Sequence, residues 1–418
     1  MTDTVLDASH SDPVALGWMV GSPPPPDRII RYGDGSYMAF PQLRWSLSHW
    51  RELLPTRGVA RGDGPVAPLP AGMPADLDPI RFTPIGGDRT MTWVESLAAN
   101  YTDGILVLHR GHIVYERYFG ALAPDPTRQH IAFSVTKSFV GTLVLMLAAE
   151  GRIDFDAPVT RYIPELSDSA FGDATVRQVL DMTTALDYSE DYADPKSSFG
   201  EYARACGLVP LPNGHAGPTC VHDFLKALRK DGEHGIGFHY RSPNTDVLAW
   251  IVARVTGQPV DAVLQQKVWT LLGAEGDAYM LLDRAGTPMA AGGLNLRLRD
   301  LGRFGEMIRL GGRWHGEQVV PASVVEEIRR GGDRNAFKSG GYATLPGWSY
   351  HAQWWSSHDD HGVFMARGIH GQAIYIDPKA EMVIVRLASH PKAGNRNLDP
   401  TSLPAYRAVA DWLLASRR

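Results

Sequence analysis

An apolar run from Phe139 to Ala149, inside a helical stretch over about residues 134–150 that Gly151 closes, constrains this chain most. It carries no charge on any side, so other parts of the protein must enclose it on every face. At about half the roughly 20 residues a bilayer crossing requires, it reads as a buried helix and not as a membrane span. Wrapping such a helix takes apolar material. The chain has it: 44% of its 418 residues are hydrophobic, which sets it apart from disordered or fibrous sequences.

Around that helix the layout is uneven. Residues 1–85 are crowded with proline and glycine (PPPP at 23–26, RGDGPVAPLPAGMP at 61–74) and read as an extension packing on the body. Only RWSLSHWREL, 44–53, has a helical look. From Gly104, two apolar runs flank Gly111 as a β-hairpin. Short helices follow at TVRQVLDM and VHDFLKALRK. The best-marked helix runs from Ser242 to Thr256, with Ser242 as N-cap, Pro243 in the first turn and Gly257 as the stop. Further helices are expected at about 259–271, 298–310, 321–330 and 402–416. Strand signals return at YHAQWW, GIHGQAIYIDP and MVIVRLAS. Hairpin-linked strands on either side of a helical block predict an α+β fold: an antiparallel sheet flanked by helices, not a doubly wound parallel one. The sheet domain is assigned to 86–178 and 310–418 and an inserted helical domain to 179–309, with the site in the cleft between them.

Charge and cysteine content narrow the function. Lys plus Arg number 41 against 46 Asp plus Glu, a net charge of −5, which gives no footprint for nucleic acid. Two cysteines, Cys206 and Cys220, argue for free thiols in a reducing compartment. With a polar, acidic start and no span, the expectation is a cytoplasmic protein without membrane or nucleic-acid partners.

The chemistry concentrates in three places. Ser134 and Lys137 stand three apart at the start of the apolar helix, where hydroxyl and amine share a face. An amine can take the serine proton only when neutral, so a dry site must lower its pKa from about 10.4. The competing reading is an N-cap serine with a solvated lysine. A second Ser-x-x-Lys, Ser389 to Lys392, contains Pro391 and reads as a surface turn. Next, Tyr240 precedes the best-capped helix, where it either shares a proton with Ser134 and Lys137, its pKa depressed by the ammonium, or packs as an aromatic. Asn244 there bonds the helix end or a substrate. Last, Gly368-Ile369-His370-Gly371-Gln372 leads into a strand whose glycines let its edge approach a ligand. An exposed N–H on that edge suits an oxyanion, and His370 is a contact candidate. His358-Asp359-Asp360-His361 and the acidic run Ser189 to Asp194 read as solvated loops, so no metal and no cofactor are expected.

These elements, in this order, resemble the penicillin-recognising serine hydrolases, and within them the 6-aminohexanoate-dimer (nylon oligomer) hydrolases and related carboxylesterases. FSVTKS, EGRID, QVLDM, LDYSEDYADP, YRSPNTDVLAWIVARVTG, QWW and GIHGQAIYIDP carry the resemblance from about residue 90 onward. It implies Ser134 as the acylated nucleophile and Lys137 and Tyr240 as proton-transfer partners. It also implies an oxyanion hole from the N–H groups of Ser134 and Ile369, and Tyr192 as a substrate contact. The implied substrate is a small ester or linear amide, and relatives of this kind are often homodimers. Three departures stand out. Ala366-Arg367-Gly368 replaces the Lys-Thr-Gly that holds a β-lactam carboxylate. Ala203 stands where an acid would attract an amino-terminal cation, and Leu208 and Ala291 replace a tryptophan and a polar residue. Aminohexanoate dimer is therefore not expected to be the preferred substrate. The alternatives are a β-lactamase or D-Ala-D-Ala peptidase, and a non-catalytic binding or sensing protein of the same fold.

Overall fold

The hairpin begun near Gly104 forms as β1 (Thr102–His109) and β2 (His112–Tyr118). Its turn holds Arg110 at φ 53° and Gly111 at φ 80°, the paired left-handed conformation that matches strand twist. The computed structural model describes residues 5–194 and 196–416. The first four residues of the extension, Pro195 and the last two residues thus lie outside the described residues.

Five later strands complete the sheet: β3 (Ser349–His351), β4 (Trp354–Ser356), β5 (Phe364–Gly368), β6 (Gln372–Asp377) and β7 (Met382–Ala388). Their order is β3-β4-β5-β6-β7-β1-β2, every neighbour antiparallel, so β1 from the first half of the chain docks beside β7 from the last. Around it pack α1 (Trp93–Ala99), α2 (Val135–Ala149), α5 (Leu298–Arg309) and α6 (Asp399–Ala415), while α3 (Ser198–Ala205) and α4 (Pro243–Thr256) belong to a helical layer, where α4 packs on α2. Strand alternation divides the core. Ile105 and Val107 face a cluster with Trp93 of α1 and Tyr406 of α6, while Leu106 and Leu108 face one with α2 and Phe304 of α5.

Helix α5 lies at the end of the segment assigned to the helical domain, 179–309, yet it packs on this sheet. A Cβ at Gly302 would lie 2.6 Å from Leu106, and one at Gly305 2.8 Å from Val383. Only glycines allow backbone that close. The sheet body therefore begins before residue 310.

The apolar helix is α2, buried from Val135 to Leu147 between the sheet and α4. The extension contributes core as well as cover. Leu47, Trp50 and Val59 are fully buried. Thr56–Val59 pairs with Ala278–Leu281 in a small sheet completed by Leu294–Leu296 and His130–Ile131, strands the sequence reading had not separated. Its buried Arg44 reaches Asp103 at 3.3 Å and Ser389 at 3.0 Å, the pairing a desolvated guanidinium needs. Ser389 is thus buried and bonded to Arg44, while Pro391 and Lys392 form a bend with Lys392 exposed, so the second Ser-x-x-Lys is a surface turn only at its lysine end. No single helix among the described residues is long and apolar enough to cross a membrane.

Candidate active site

Ser134 sits at the head of α2, behind a strained residue. Phe133 adopts φ 43°, a left-handed conformation that costs a non-glycine residue about 1–3 kcal/mol and persists where surrounding packing imposes it. The turn sets the serine at the helix N-terminus, 9% exposed. One helical turn on, Lys137 is 1% exposed. Its Nζ lies 3.0 Å from Ser134 Oγ, 3.1 Å from Ser242 Oγ and 2.5 Å from the Ala291 carbonyl. Burial lowers this amine to about 8, against the opposing charges of Glu190 and Asp246. The dry site that the Ser-x-x-Lys spacing required is present.

Tyr240 arrives from the turn before α4. Its phenol is within hydrogen-bonding reach of Ser134, and Lys137 Nζ stands 5.2 Å from the ring centroid. Trp355 and Tyr350 hold the ring at 5.5 and 5.9 Å. The phenol's acidity runs opposite to expectation. Burial raises its pKa well above the ordinary value, and the bond to Ser134 only partly offsets that. Tyr240 is therefore a neutral phenol, able to donate.

Two neighbours of this group differ from their sequence-based expectation. Ser242 does not cap α4. Its own backbone is already helical (φ −54°, ψ −39°), and its hydroxyl makes no cap bond. Instead it accepts from Lys137 and donates to Glu190 Oε1 at 2.5 Å. The acidic run is likewise more than a solvated loop. Glu190 also accepts the Ser242 amide at 2.8 Å and the Tyr192 hydroxyl at 3.0 Å. Its signal in the sequence was its place two residues before Tyr192. Asp246, one turn into α4, is buried, bonded by Tyr202, and pushed up by desolvation. Asp246 leaves no comparable mark in the sequence, because a lone acid within a helix carries no spacing signature.

The remaining candidates fall into two groups. Ile369 follows Gly368, where a Cβ would lie 2.6 Å from the Ala132 carbonyl, so glycine lets the end of β5 press against the approach to Ser134. Among the described residues, the Ser134 and Ile369 amides have no loop or side-chain acceptor. Tyr192 reaches the site through Glu190 and packs edge-on against Phe199. Asn244 and His370, by contrast, are committed to the scaffold. Asn244 is fully buried, accepting from Thr184 and donating to the Arg241 carbonyl. His370 is buried with Nδ1 on the His390 carbonyl, and burial holds it down at about 4. Arg367, at the place of the missing Lys-Thr-Gly, is paired with Asp399 and lies over Trp355. Ala291 offers its carbonyl to Lys137 in place of a polar side chain.

His361 is buried on Asp377 at 2.6 Å, not solvated, and His358 bonds Ser349, so the two face different partners. Among the described residues, no group of three or more His, Cys, Asp or Glu side chains is placed to hold a metal ion.

An antiparallel sheet with a serine and a buried lysine meeting at the head of its central helix defines a serine hydrolase. The chain belongs to the Beta-lactamase family, whose model matches residues 94–404. It is 39% identical over 363 residues to the 6-aminohexanoate-dimer hydrolase of Paenarthrobacter ureafaciens, covering 87% of this chain and 89% of that one. Over 186 residues it is 31% identical to Esterase EstB of Burkholderia gladioli, 40% of this chain and 44% of that enzyme. A solved structure from Bacillus anthracis, assigned as a 6-aminohexanoate-dimer hydrolase, superposes with TM-score 0.83 at 31% identity, covering 91% and 96%.

Proposed function

We propose that this enzyme hydrolyses short carboxylic esters and linear amides through an acyl-enzyme on Ser134. The observation that carries the reading is the 3.0 Å contact between Ser134 Oγ and the Nζ of a lysine that burial lowers to about 8. Lys137 takes the Ser134 proton as Oγ attacks the substrate carbonyl. The N–H groups of Ser134 and Ile369 receive the oxyanion, each such donor contributing about 3–4 kcal/mol in comparable sites. The neutral phenol of Tyr240 hands a proton to the leaving oxygen or nitrogen, and Lys137 restores it. Water then repeats the cycle on the ester formed with Ser134.

Substrate preference follows from the residue at position 203. Ala203 is buried and apolar, so no carboxylate at that place attracts an amino-terminal cation. This favours uncharged acyl groups over aminohexanoate dimer. Ser134→Ala, folded as judged by its melting curve, is expected to lose at least about 10³-fold in turnover of p-nitrophenyl acetate and butyrate. Retained turnover in that variant ends the proposal.

A further inference from the structure

Resting on Lys137 as the base for Ser134, we propose that Glu190 is a positioning residue: by accepting the Ser242 hydroxyl proton it makes Ser242 an acceptor and so aims the lone pair of Lys137 at Ser134. The hydrogens around Nζ fix this orientation. A neutral amine has two N–H bonds and one lone pair. The Ala291 carbonyl, 2.5 Å from Nζ, can only accept, which uses one N–H. Ser242 Oγ, at 3.1 Å, could accept or donate. Its proton is already committed to Glu190 Oε1 at 2.5 Å, so it accepts the second N–H. The lone pair is left facing Ser134 Oγ at 3.0 Å, the orientation that proton removal requires.

Glu190 has no freedom to do otherwise. Its Oε2 is fixed by the Ser242 amide, and its Oε1 takes both the Ser242 and Tyr192 hydroxyls. A glutamine must keep its carbonyl oxygen on the amide, which can only donate. It then presents its NH2 to the Ser242 hydroxyl. Ser242 would accept there, turn its own proton towards Nζ, and engage the lone pair. Glu190→Gln is nearly isosteric, yet it reverses the chain.

Charge provides an independent readout. The groups that act on Lys137 are Glu190, Asp246 of α4 and Cys206 just past α3, with the Tyr240 ring across from it. Removing the Glu190 charge favours the neutral amine, so the acid limb of the rate profile must move to lower pH. Damage that admits water would shift it upward, towards a free lysine.

The test measures kcat/KM against pH on p-nitrophenyl acetate for the full chain, Glu190→Gln, Glu190→Asp, Ser242→Ala and the Gln/Ala double variant. Expected for Glu190→Gln is a plateau lower by about 10²-fold, with an acid limb at lower pH. Because Glu190 acts through Ser242, the double variant should match Ser242→Ala alone. Glu190→Asp keeps the charge but loses reach, so its plateau falls with the limb unmoved, and it serves if the glutamine variant does not fold. An unchanged plateau in a folded Glu190→Gln enzyme, an upward shift of its limb, or additive losses in the double variant overturns the inference. Turnover surviving Ser134→Ala would instead remove the catalytic reading itself.

Discussion

At the scale of single residues, the site depends on where protons rest. On the proposed mechanism Lys137 can accept a proton only when neutral, and burial brings it to about 8. Activity should therefore rise with pH through that region, since the protonated form below it cannot accept the Ser134 proton. A kcat/KM profile on a neutral ester, whose own ionisation is constant, checks this; a limb near the free-lysine value would mean an amine open to water. Tyr240→Phe removes the proton donor but keeps the aromatic packing, and is expected to lower kcat by about 10²–10⁴-fold with little change in melting temperature. Ser134, Lys137 and Tyr240 were legible because spacing and flanking helices put them where chemistry is possible. Glu190 and Ser242 were not. Ser242 looked sufficiently explained as a cap, and the meaning of Glu190 exists only once two distant loops meet. Asn244 and His370 failed in the other direction: polar side chains beside a site turned out to hold the chain that forms it.

Among elements, the close approaches decide geometry. Gly368 brings the end of β5 against Ala132, two residues before Ser134. Gly368→Ala puts a methyl 2.6 Å from that carbonyl oxygen, so strand and helix head must part. The expected result is a kcat loss of about 10²–10³-fold, the size of a lost oxyanion donor. Stopped-flow acylation alongside thermal melting should show the rate falling far more than stability. Helices α2 and α4 could be read directly, one from its unbroken apolarity, the other from Pro243 and Gly257, whose φ of 75° ends the helix as expected. Helix α5 could be predicted but not placed. Its length is written in the sequence, whereas its seat on the sheet depends on Gly302 and Gly305 meeting particular side chains.

For the whole molecule, the proline-rich extension is the least legible part and the most consequential. Proline and glycine suppress periodicity, so its buried anchors leave no pattern, and Trp50 looks like any scattered tryptophan. Yet that ring is fully enclosed. Trp50→Ala should cost about 3–5 kcal/mol, read as an earlier midpoint in chemical denaturation; a loss under 1 kcal/mol would show that the extension is dispensable. The same segment reaches the loop after α3. Tyr32 and Tyr37 bond the carbonyls of Gly207 and Leu208, just past Ala203. The extension thus acts as a tether on the loop that follows α3, and the position of that loop becomes partly a property of the first forty residues. Change in that distant stretch can shift this loop while the contact between Ser134 and Lys137 stays untouched.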